Sequence, residues 1–351
     1  MSYEIDYIPV GDSEKSGDAI ALRFGNLAGP RDQQTVVIID GGFKESGEQL
    51  VNHIKTYYKT DYVDLVVSTH PDADHASGLS VVMEQLSVRQ LAMHRPWEHA
   101  EDIKNLFKNG KITASGLEAM LEKSLQHASD LEALANKRGI PIIEPFQGVA
   151  GFNGAVQILG PSQGYYENLL ALFRETPEPI ESLGILAPIK KAVEEIAKRI
   201  QDFWHIDLLD DDEEATTAEN NTSTIILFTI DGHKLLFTGD AGKTALHFAA
   251  DYASAQGIPL TDLSLFDIPH HGSKRNLSSK VLKRIKGSKA SISAPKDSPK
   301  HPAKKVTNAL KKHGMSVYAT KGITICHSYN APERVGWGPA PEEPFYDFVE
   351  E

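Results

Sequence analysis

The sequence predicts an α+β fold, in which short apolar strands end in polar loops and alternate with helices. The clearest sign is a hairpin: residues 224–230 and 233–237 have strand-like composition, and Asp231-Gly232 between them is a favoured two-residue turn. Residues 63–67 form a mostly apolar run that is typical of a buried strand. Residues 241–256 have a helical pattern directly after the hairpin.

The remaining elements follow from β-branched or alternating apolar runs and from helical periodicity. We predict further strands at residues 3–10, 19–24, 36–39, 88–93, 139–143, 155–159, 263–268, 290–293, 316–319 and 322–326. We predict helices at residues 44–58, 278–285 and 303–313, and a mostly helical region over residues 76–135.

Residues 1–351 are expected to form a single domain with an insertion at residues 162–219. Within this insertion a helical face is predicted after Pro188, formed by Ile189, Val193, Ile196 and Ile200. The acidic run at residues 210–214 is interpreted as a solvated loop, because flexible carboxylates without a fixed frame bind ions weakly. The proline- and acid-rich tail, residues 331–351, is expected to pack loosely.

Composition excludes several classes of protein. The content is 40% hydrophobic and 24% charged residues, which is ordinary for a soluble globular protein. Cys326 is the single cysteine, which excludes an internal disulfide and a site built from several thiolates. No apolar run is long enough to span a bilayer, and the first residues lack a signal-peptide pattern. We therefore expect a cytoplasmic protein without a membrane part.

Charge is distributed unevenly along the chain. The net charge is −12, yet residues 274–321 hold fourteen Lys or Arg and one acid, Asp297. The remaining residues carry 22 basic and 47 acidic side chains. A basic segment near a metal site suits a phosphate-rich substrate such as nucleic acid. The alternative is a set of solvated helix faces, such as Lys304-Lys305 and Lys311-Lys312.

The run His70-Pro71-Asp72-Ala73-Asp74-His75 carries the strongest chemical signal. It places two imidazoles and two carboxylates within six positions, directly after the predicted strand at residues 63–67. Carboxylates this close repel each other, and a divalent cation removes the repulsion. A helix-capping role explains one carboxylate but neither histidine.

Two other predicted strands end in potential ligands, namely Asp240 after residues 233–237 and His270-His271 after residues 263–268. Strand ends on one edge of a sheet converge in space, so ligands distant in sequence can share one site. We therefore predict a metal site built from all three strand ends.

These motifs resemble the metallo-β-lactamase superfamily, specifically its ComEC-like branch, over about residues 5–326. In chain order, the matching pieces are Val10-Gly11-Asp12 with Gly17-Asp18-Ala19, Asp40-Gly41-Gly42, the HxDxDH run, Asn220-x-x-Ser223, Thr238-Gly239-Asp240, Pro269-His270-His271-Gly272-Ser273, His301-Pro302 and Thr320-x-Gly322. The resemblance implies an αββα sandwich with a metal site at one edge. It also implies metal-activated water that attacks an ester, an amide or a phosphodiester.

The resemblance implies a role for each matching residue. One ion would be held by His70, Asp72 and one of His270 and His271, and a second ion by Asp74 and His75. Asp240 would bridge the two ions, and Asp40 would orient a ligand histidine through its other ring nitrogen. The side chains of His270 and His271 should diverge on an extended backbone, so we expect one to ligate and the other to contact substrate.

The chain departs from the broad superfamily pattern at two places. Asp72 stands where the common motif has His, and Asn220 and Asn221 stand in the region that usually supplies a further His. Fewer imidazoles favour harder cations, so Mn²⁺ or Mg²⁺ is as credible as Zn²⁺, with one or two ions bound. The other histidines that could ligate are expected to be surface or packing residues: His94, His99, His127 and His205.

Several residues are candidates for the reaction itself. Asp74 is the preferred general base where it is not occupied as a ligand. Ser273, Lys274 and Arg275 follow the His pair and could bind a phosphate, and Lys274 could also offset charge that develops in the reaction. The alternative is a solvated loop. His301 could orient substrate, protonate a leaving group or cap the following helix.

Three functions remain open from the sequence. The preferred one is a phosphodiesterase, most of all a nuclease acting on DNA or RNA. A small-molecule hydrolase would cleave a lactone, a β-lactam or a phosphate ester. A metal-binding subunit would instead dock a protein partner through residues 162–219 and be active only with that partner.

Overall fold

A computed structural model describes residues 1–180, 199–201, 204, 208–209 and 216–350. Most of the helical face predicted after Pro188 and the acidic run at residues 210–214 lie outside these residues. Ile200 is described, and its backbone lies in a strand paired with Val349. The helix prediction is therefore wrong at Ile200, where pairing with a distant strand decides the local structure.

The described residues form strands along the whole chain. In chain order, these are β1 Ser2–Tyr7, β2 Ala19–Gly25, β3 Gln34–Gly41, β4 Tyr62–Val63, β5 Leu65–Val67, β6 Ser87–Val88, β7 Leu91–Ala92, β8 Ile142–Ile143, β9 Ala150–Gly151, β10 Val156–Gly160, β11 Arg199–Gln201, β12 Ile225–Ile230, β13 His233–Phe237, β14 Leu265–Asp267, β15 Lys289–Ile292, β16 Ser316–Ala319, β17 Ile325–Tyr329 and β18 Phe348–Glu350.

Helices connect many of these strands. The α-helices are α1 Lys44–His53, α2 Ala73–Gln85, α3 Ala100–Ile103, α4 Ala114–Ser124, α5 Gln126–Arg138, α6 Gln163–Leu170, α7 Ala218–Asn221, α8 Lys243–Ala255, α9 Ser279–Arg284 and α10 Lys304–Lys312. Among the helices in the described ranges, none is long and apolar enough to cross a membrane.

Two seven-stranded sheets form the centre of the molecule. The first has the order β17-β1-β2-β3-β5-β7-β8, and the second has the order β16-β15-β14-β13-β12-β10-β9. Strands β3, β5, β7 and β8 run parallel, as do β13, β14, β15 and β16. Parallel strands end at the same edge of a sheet, so their following loops can share one site.

The side chains of each sheet alternate between two separate cores. One face of each sheet packs against the other sheet, as in the contact of Phe24 with Phe228, whose rings lie 6.3 Å apart. The opposite faces, which carry Val36, Ile38 and Leu236, pack against helices. The layers are therefore helix, sheet, sheet and helix, and the predicted α+β sandwich is confirmed.

The predicted hairpin is present as β12 and β13. Asp231 and Gly232 have φ of 52° and 83°, the pair of left-handed conformations that a type I′ turn requires. The predicted N-terminal strand is too long, because β1 ends at Tyr7 and Pro9 cannot donate a ladder hydrogen bond. The predicted helix at residues 44–58 is α-helical only to His53 and continues as a π-helical turn to Tyr58.

Glycine at Gly41 and Gly78 allows helix α2 to approach the end of strand β3 closely. A Cβ atom on Gly78 would lie 2.0 Å from the carbonyl oxygen of Gly41, and one on Gly41 would lie 2.4 Å from the nitrogen of Leu79. Neither position has room for a side chain. This contact fixes the first turns of α2, which carry the second half of the HxDxDH run, against the end of β3.

The tail is attached to the sandwich, so the prediction of loose packing is wrong. Arg334 donates to Asp6 Oδ1 and Oδ2 at 2.7 and 2.9 Å and to Glu4 Oε2 at 2.8 Å, both on strand β1 of the first sheet. Strand β18 pairs with β11. Two acidic residues of the tail also form ion pairs with lysines of the sandwich: Glu342 with Lys311 and Glu343 with Lys321.

We predict that Arg334→Met lowers the free energy of unfolding by about 1.5–3 kcal/mol, because the buried carboxylates of Glu4 and Asp6 lose their shared cation. The loss is limited because Glu4 keeps Arg23, and Asp6 keeps Tyr58 and His53. Urea unfolding of the variant measures this loss. Arg284→Met is the matched control, since its partner Asp251 is exposed and such pairs contribute about 0–1 kcal/mol. Equal losses in the two variants would contradict the assignment.

Candidate metal centre

The HxDxDH run leaves strand β5 and enters helix α2. Asp72 occupies the N-cap position of α2, but its side chain accepts no hydrogen bond from the helix. Its Oδ2 instead lies 4.0 Å from His70 Nε2 and 3.4 Å from Arg174 Nη2. Capping therefore does not account for this carboxylate, which is directed at the histidines and at the mouth of the site.

Four imidazoles surround the buried carboxylate of Asp240. Its Oδ1 lies 3.5 Å from His75 Nε2 and 3.8 Å from His271 Nε2. Its Oδ2 lies 3.7 Å from His270 Nε2 and 3.9 Å from His70 Nε2. Each oxygen faces one ring that follows β5 of the first sheet and one that follows β14 of the second. The ends of β5, β13 and β14, which the sequence indicated, therefore meet at one site.

His270 and His271 both point at Asp240, so the prediction that their side chains diverge is wrong. That prediction assumed an extended backbone, whereas these residues have φ of 50° and 57°. Left-handed conformations of residues with a Cβ carry strain and persist where the surrounding structure enforces them. The two rings lie 5.7 Å apart, centre to centre, and both remain candidates to ligate.

Hydrogen bonds behind the first two rings set their tautomers. His75 Nδ1 lies 2.8 Å from Asp40 Oδ2, which can only accept when ionised. Thr69 Oγ1 donates its single proton to Asp40 Oδ2 at 2.6 Å and accepts from His70 Nδ1 at 3.1 Å. We assign the proton of both rings to Nδ1, which leaves the Nε2 lone pairs directed at Asp240.

Hydrogen bonds from Nδ1 also orient the rings of His270 and His271. His271 Nδ1 donates to the carbonyl oxygen of Ser293 at 3.0 Å. His270 Nδ1 donates to Asn276 Oδ1 at 2.9 Å, and the amide of Asn276 is oriented by its own donation to the carbonyl oxygen of Asp240. Four Nε2 lone pairs therefore converge on one carboxylate.

This donor set fits a divalent cation. Within the part of the chain that the structure describes, four buried atoms of the cluster have no hydrogen-bond partner: Nε2 of His70, His75 and His271, and Oδ1 of Asp240. Buried polar atoms are almost always paired. Imidazole nitrogens and carboxylate oxygens are the ligands that Zn²⁺ and Mn²⁺ take in proteins.

Asp18 is a member of the cluster that the sequence analysis missed. It was noted only within a matching piece and was given no role. Its carboxylate is buried 3.6 Å from His271 Nδ1 and 3.9 Å from His75 Nδ1. The only signal in the sequence is an acidic residue directly before strand β2, which starts at Ala19.

Asp74 is half-buried beside the cluster. One of its carboxylate oxygens lies within 4.8 Å of a ring nitrogen of His75 and of His271.

Asp40 and the two asparagines lie behind the ligand atoms. Asp40 is buried and accepts from the backbone nitrogen of Thr69 at 2.8 Å in addition to its bond with His75. Asn220 Nδ2 lies 3.3 Å from His270 Nδ1. Asn221 Nδ2 instead donates to the carbonyl oxygen of Thr217, within the turn that begins helix α7.

The charges of the cluster shift its pKa values strongly. Burial opposes ionisation of Asp240, but the four imidazoles outweigh it and hold the pKa of this carboxyl well below its usual range. Burial, with the neighbouring His75, lowers the pKa of His70 to about 3. Burial opposes the charged form of His271, but the carboxylates of Asp240 and Asp18 outweigh it and raise the pKa of this histidine. Burial raises the pKa of Asp72 to about 6.

The candidate reaction residues border the cluster. Ser273 is buried and its Oγ accepts from the backbone nitrogen of Arg275, while Lys274 and Arg275 are half-buried. The ring of His301 lies 6.0 Å from that of His270, and its buried Nδ1 lacks a partner among the described residues. Helix α10 begins after Ala303 and has no side-chain cap, so the capping alternative for His301 is wrong.

The other histidines lie outside the cluster. His94 is buried and stacks on Tyr166 with ring centres 4.5 Å apart. His99 lies between two carboxylates: its Nε2 is 3.2 Å from Glu144 Oε1 and its Nδ1 is 3.1 Å from Glu167 Oε1. His127 is exposed, as predicted, and His205 lies outside the described residues.

Comparison with known proteins identifies the family of this chain. Residues 31–293 match the model of the metallo-beta-lactamase superfamily. Similar solved structures include a diphosphatase from the PhnP family, with 10% identity, a TM-score of 0.40, and coverage of 93% of this chain and 98% of that one. Another is a metallo-beta-lactamase of Cronobacter sakazakii with a HARLDQ motif, with 12% identity, a TM-score of 0.32 and coverage of 72% of each chain. A comparison with curated proteins found no match.

We predict that Zn²⁺ or Mn²⁺ raises the melting temperature of metal-stripped protein, because binding to the folded state alone stabilises it. Asp240→Ala should abolish this shift and the bound metal, measured by calorimetry and elemental analysis. Asp262→Ala is the control, since Asp262 is exposed and pairs with Lys234 on the surface. Full metal content in Asp240→Ala would refute the proposed bridging carboxylate.

We also predict that Asp40→Asn weakens metal affinity by about 10–100-fold, because the substitution disturbs the orientation of His75. Competition with a chromophoric chelator measures the dissociation constant. Unfolding in urea is measured in parallel, since Asp40 also holds Thr69. Unchanged metal affinity in a folded variant would contradict an orienting role.

Proposed function

This chain belongs to the metallo-β-lactamase superfamily, whose members are metal-dependent hydrolases, and we propose that it is a phosphodiesterase that cleaves nucleic acid. The superfamily binds divalent metals, usually one or two. The closer resemblance to the ComEC-like branch and the cytoplasmic location stay predictions from the sequence.

The arrangement around Asp240 supports the proposal most directly. One carboxylate oxygen faces His70 and His270, and the other faces His75 and His271. A carboxylate shared in this way suits two ions, and two-ion sites act on the attacking and leaving oxygens of phosphoryl displacements.

We assign the ligands accordingly. His70, Asp72 and His270 would hold one ion beside Asp240 Oδ2, and His75, His271 and Asp74 would hold another beside Oδ1. Four imidazoles are one more than the sequence analysis counted, which favours Zn²⁺ or Mn²⁺ over Mg²⁺. The bound ions would supply activated water and would neutralise charge on the phosphoryl group.

The protein residues bind and orient the substrate in this proposal. Ser273, Lys274 and Arg275 extend from the His pair and offer hydroxyl, ammonium and guanidinium groups to a phosphate. His301 would orient the substrate through its imidazole ring, which lies 6.0 Å from that of His270. Asp74 is half-buried at the edge of the cluster, and its second carboxylate oxygen, which the ligand assignment leaves over, would accept a proton.

The basic segment contributes only in part. Helix α10 and its surroundings direct several lysines at the tail, where Lys304 lies over the Tyr346 ring and Lys312 over the Phe345 ring. Two lysines on the loop before His301, Lys296 and Lys300, are exposed instead. We therefore do not assign the charge of the whole basic segment to the substrate.

We predict that metal-loaded protein cleaves labelled DNA or RNA and that Asp240→Ala abolishes cleavage while the fold survives. The assay uses single- and double-stranded substrates with Zn²⁺, Mn²⁺ or Mg²⁺ added to metal-stripped protein. Substrate binding should weaken with salt, because phosphate contacts release counterions. Replacing Lys274 and Arg275 by Ala should lower both the activity and the salt dependence.

Other outcomes support the alternatives. Salt-independent hydrolysis of a lactone, a β-lactam or a phosphate monoester without nuclease activity would support a small-molecule hydrolase. Protein that binds metal but hydrolyses none of these substrates would support a subunit that needs a partner. Either result would overturn the nuclease proposal.

A further inference from the structure

Arg174 stands at the mouth of the metal centre, although the sequence analysis did not single it out. It follows helix α6, within the region predicted as an insertion. Its side chain is 64% exposed, and its Nη2 lies 3.4 Å from Oδ2 of Asp72. It therefore presents a cation beside a carboxylate of the cluster and remains open to solvent.

Glu219 holds this arginine in place. Its buried carboxylate accepts from the backbone nitrogen of Arg174 at 2.8 Å and from Nε at 3.3 Å. Glu219 lies in helix α7 directly before Asn220, whose amide contacts the ring of His270. The guanidinium is thus oriented from the same short helix that borders the ligand histidines.

These contacts leave part of the guanidinium unused. Arginine has five N–H donors in a planar fork. Nε is directed at Glu219 and Nη2 at Asp72, and no residue in the described ranges bonds to Nη1. Folding therefore accounts for the contact of Nε with the buried Glu219, but it gives no role to Nη1.

We propose that Arg174 forms an anion-binding subsite at the mouth of the centre, which takes a non-bridging oxygen of a phosphoryl group. The inference rests on the proposed phosphodiesterase function and names the residue that distinguishes a phosphate ester from a neutral ester. A guanidinium matches a phosphate in charge and in hydrogen-bond geometry, whereas an uncharged carboxylic ester offers it no anionic oxygen.

Binding of inorganic phosphate to metal-loaded protein tests the subsite without turnover. Isothermal titration calorimetry should show that Arg174→Ala weakens phosphate binding about tenfold or more, since hydrogen bonds between a guanidinium and a phosphate are charge-assisted and strong. Arg174→Lys keeps the charge but not the fork and should lie between the two. Arg89→Ala is the matched control, because Arg89 is exposed and precedes strand β7, at the opposite edge of the sheet.

Kinetics and metal content separate substrate binding from an effect on Asp72. We expect Arg174→Ala to raise KM for bis(p-nitrophenyl) phosphate, with hydrolysis of p-nitrophenyl acetate and metal content unchanged. Glu219→Gln should give a smaller rise in the same direction. Unchanged phosphate affinity, or equal losses on both esters with loss of metal, would overturn the subsite.

The two proposals fail separately. If the wild-type protein cleaves no phosphodiester, the proposed function falls, and phosphate titration of the same variants still decides the subsite. If phosphodiester cleavage is present but Arg174→Ala binds phosphate as tightly as wild type, only the subsite falls.

Discussion

The carboxylate of Asp240 and the four imidazoles directed at it form the constraint on which the rest of the site depends. Two of the rings come from the first sheet and two from the second, and Asp240 comes from the second. The cluster exists only when the two sheets are stacked in one relative position. The apolar core between the sheets, with contacts such as Phe24 on Phe228, therefore positions the site as well as stabilising the fold.

A second set of contacts prevents the rings from turning. Each Nδ1 has a bonding partner behind it, whether the carboxylate of Asp40, the hydroxyl of Thr69, the carbonyl of Ser293 or the amide of Asn276. The lone pairs are thus aligned before any ion binds, which lowers the cost of ordering the ligands on binding. Strained backbone at the His pair belongs to the same preorganisation.

The sequence predicts most of what depends on local pattern. The hairpin, the strand ends and the HxDxDH run were recognisable because each depends on residues that are adjacent in the sequence, namely turn residues, apolar runs and metal-ligand residues. Asp18 and Arg174 were not, since each lies alone in sequence and acquires meaning only from distant residues. The prediction that the side chains of His270 and His271 diverge was wrong, because backbone φ at both positions depends on tertiary contacts. The attachment of the tail through Arg334 has the same cause.

The order of strands in the first sheet has a consequence for how the protein is made. Strand β1, from the beginning of the chain, lies between β2 and β17, and β17 is formed only by residues 325–329. During synthesis β1 therefore emerges long before β17 exists, and it presents an open hydrogen-bonding edge until residues 325–329 have been made. A chain that ends before β17 would already carry its ligand residues but would have an unpaired edge at β1, so its main hazard is association with other chains.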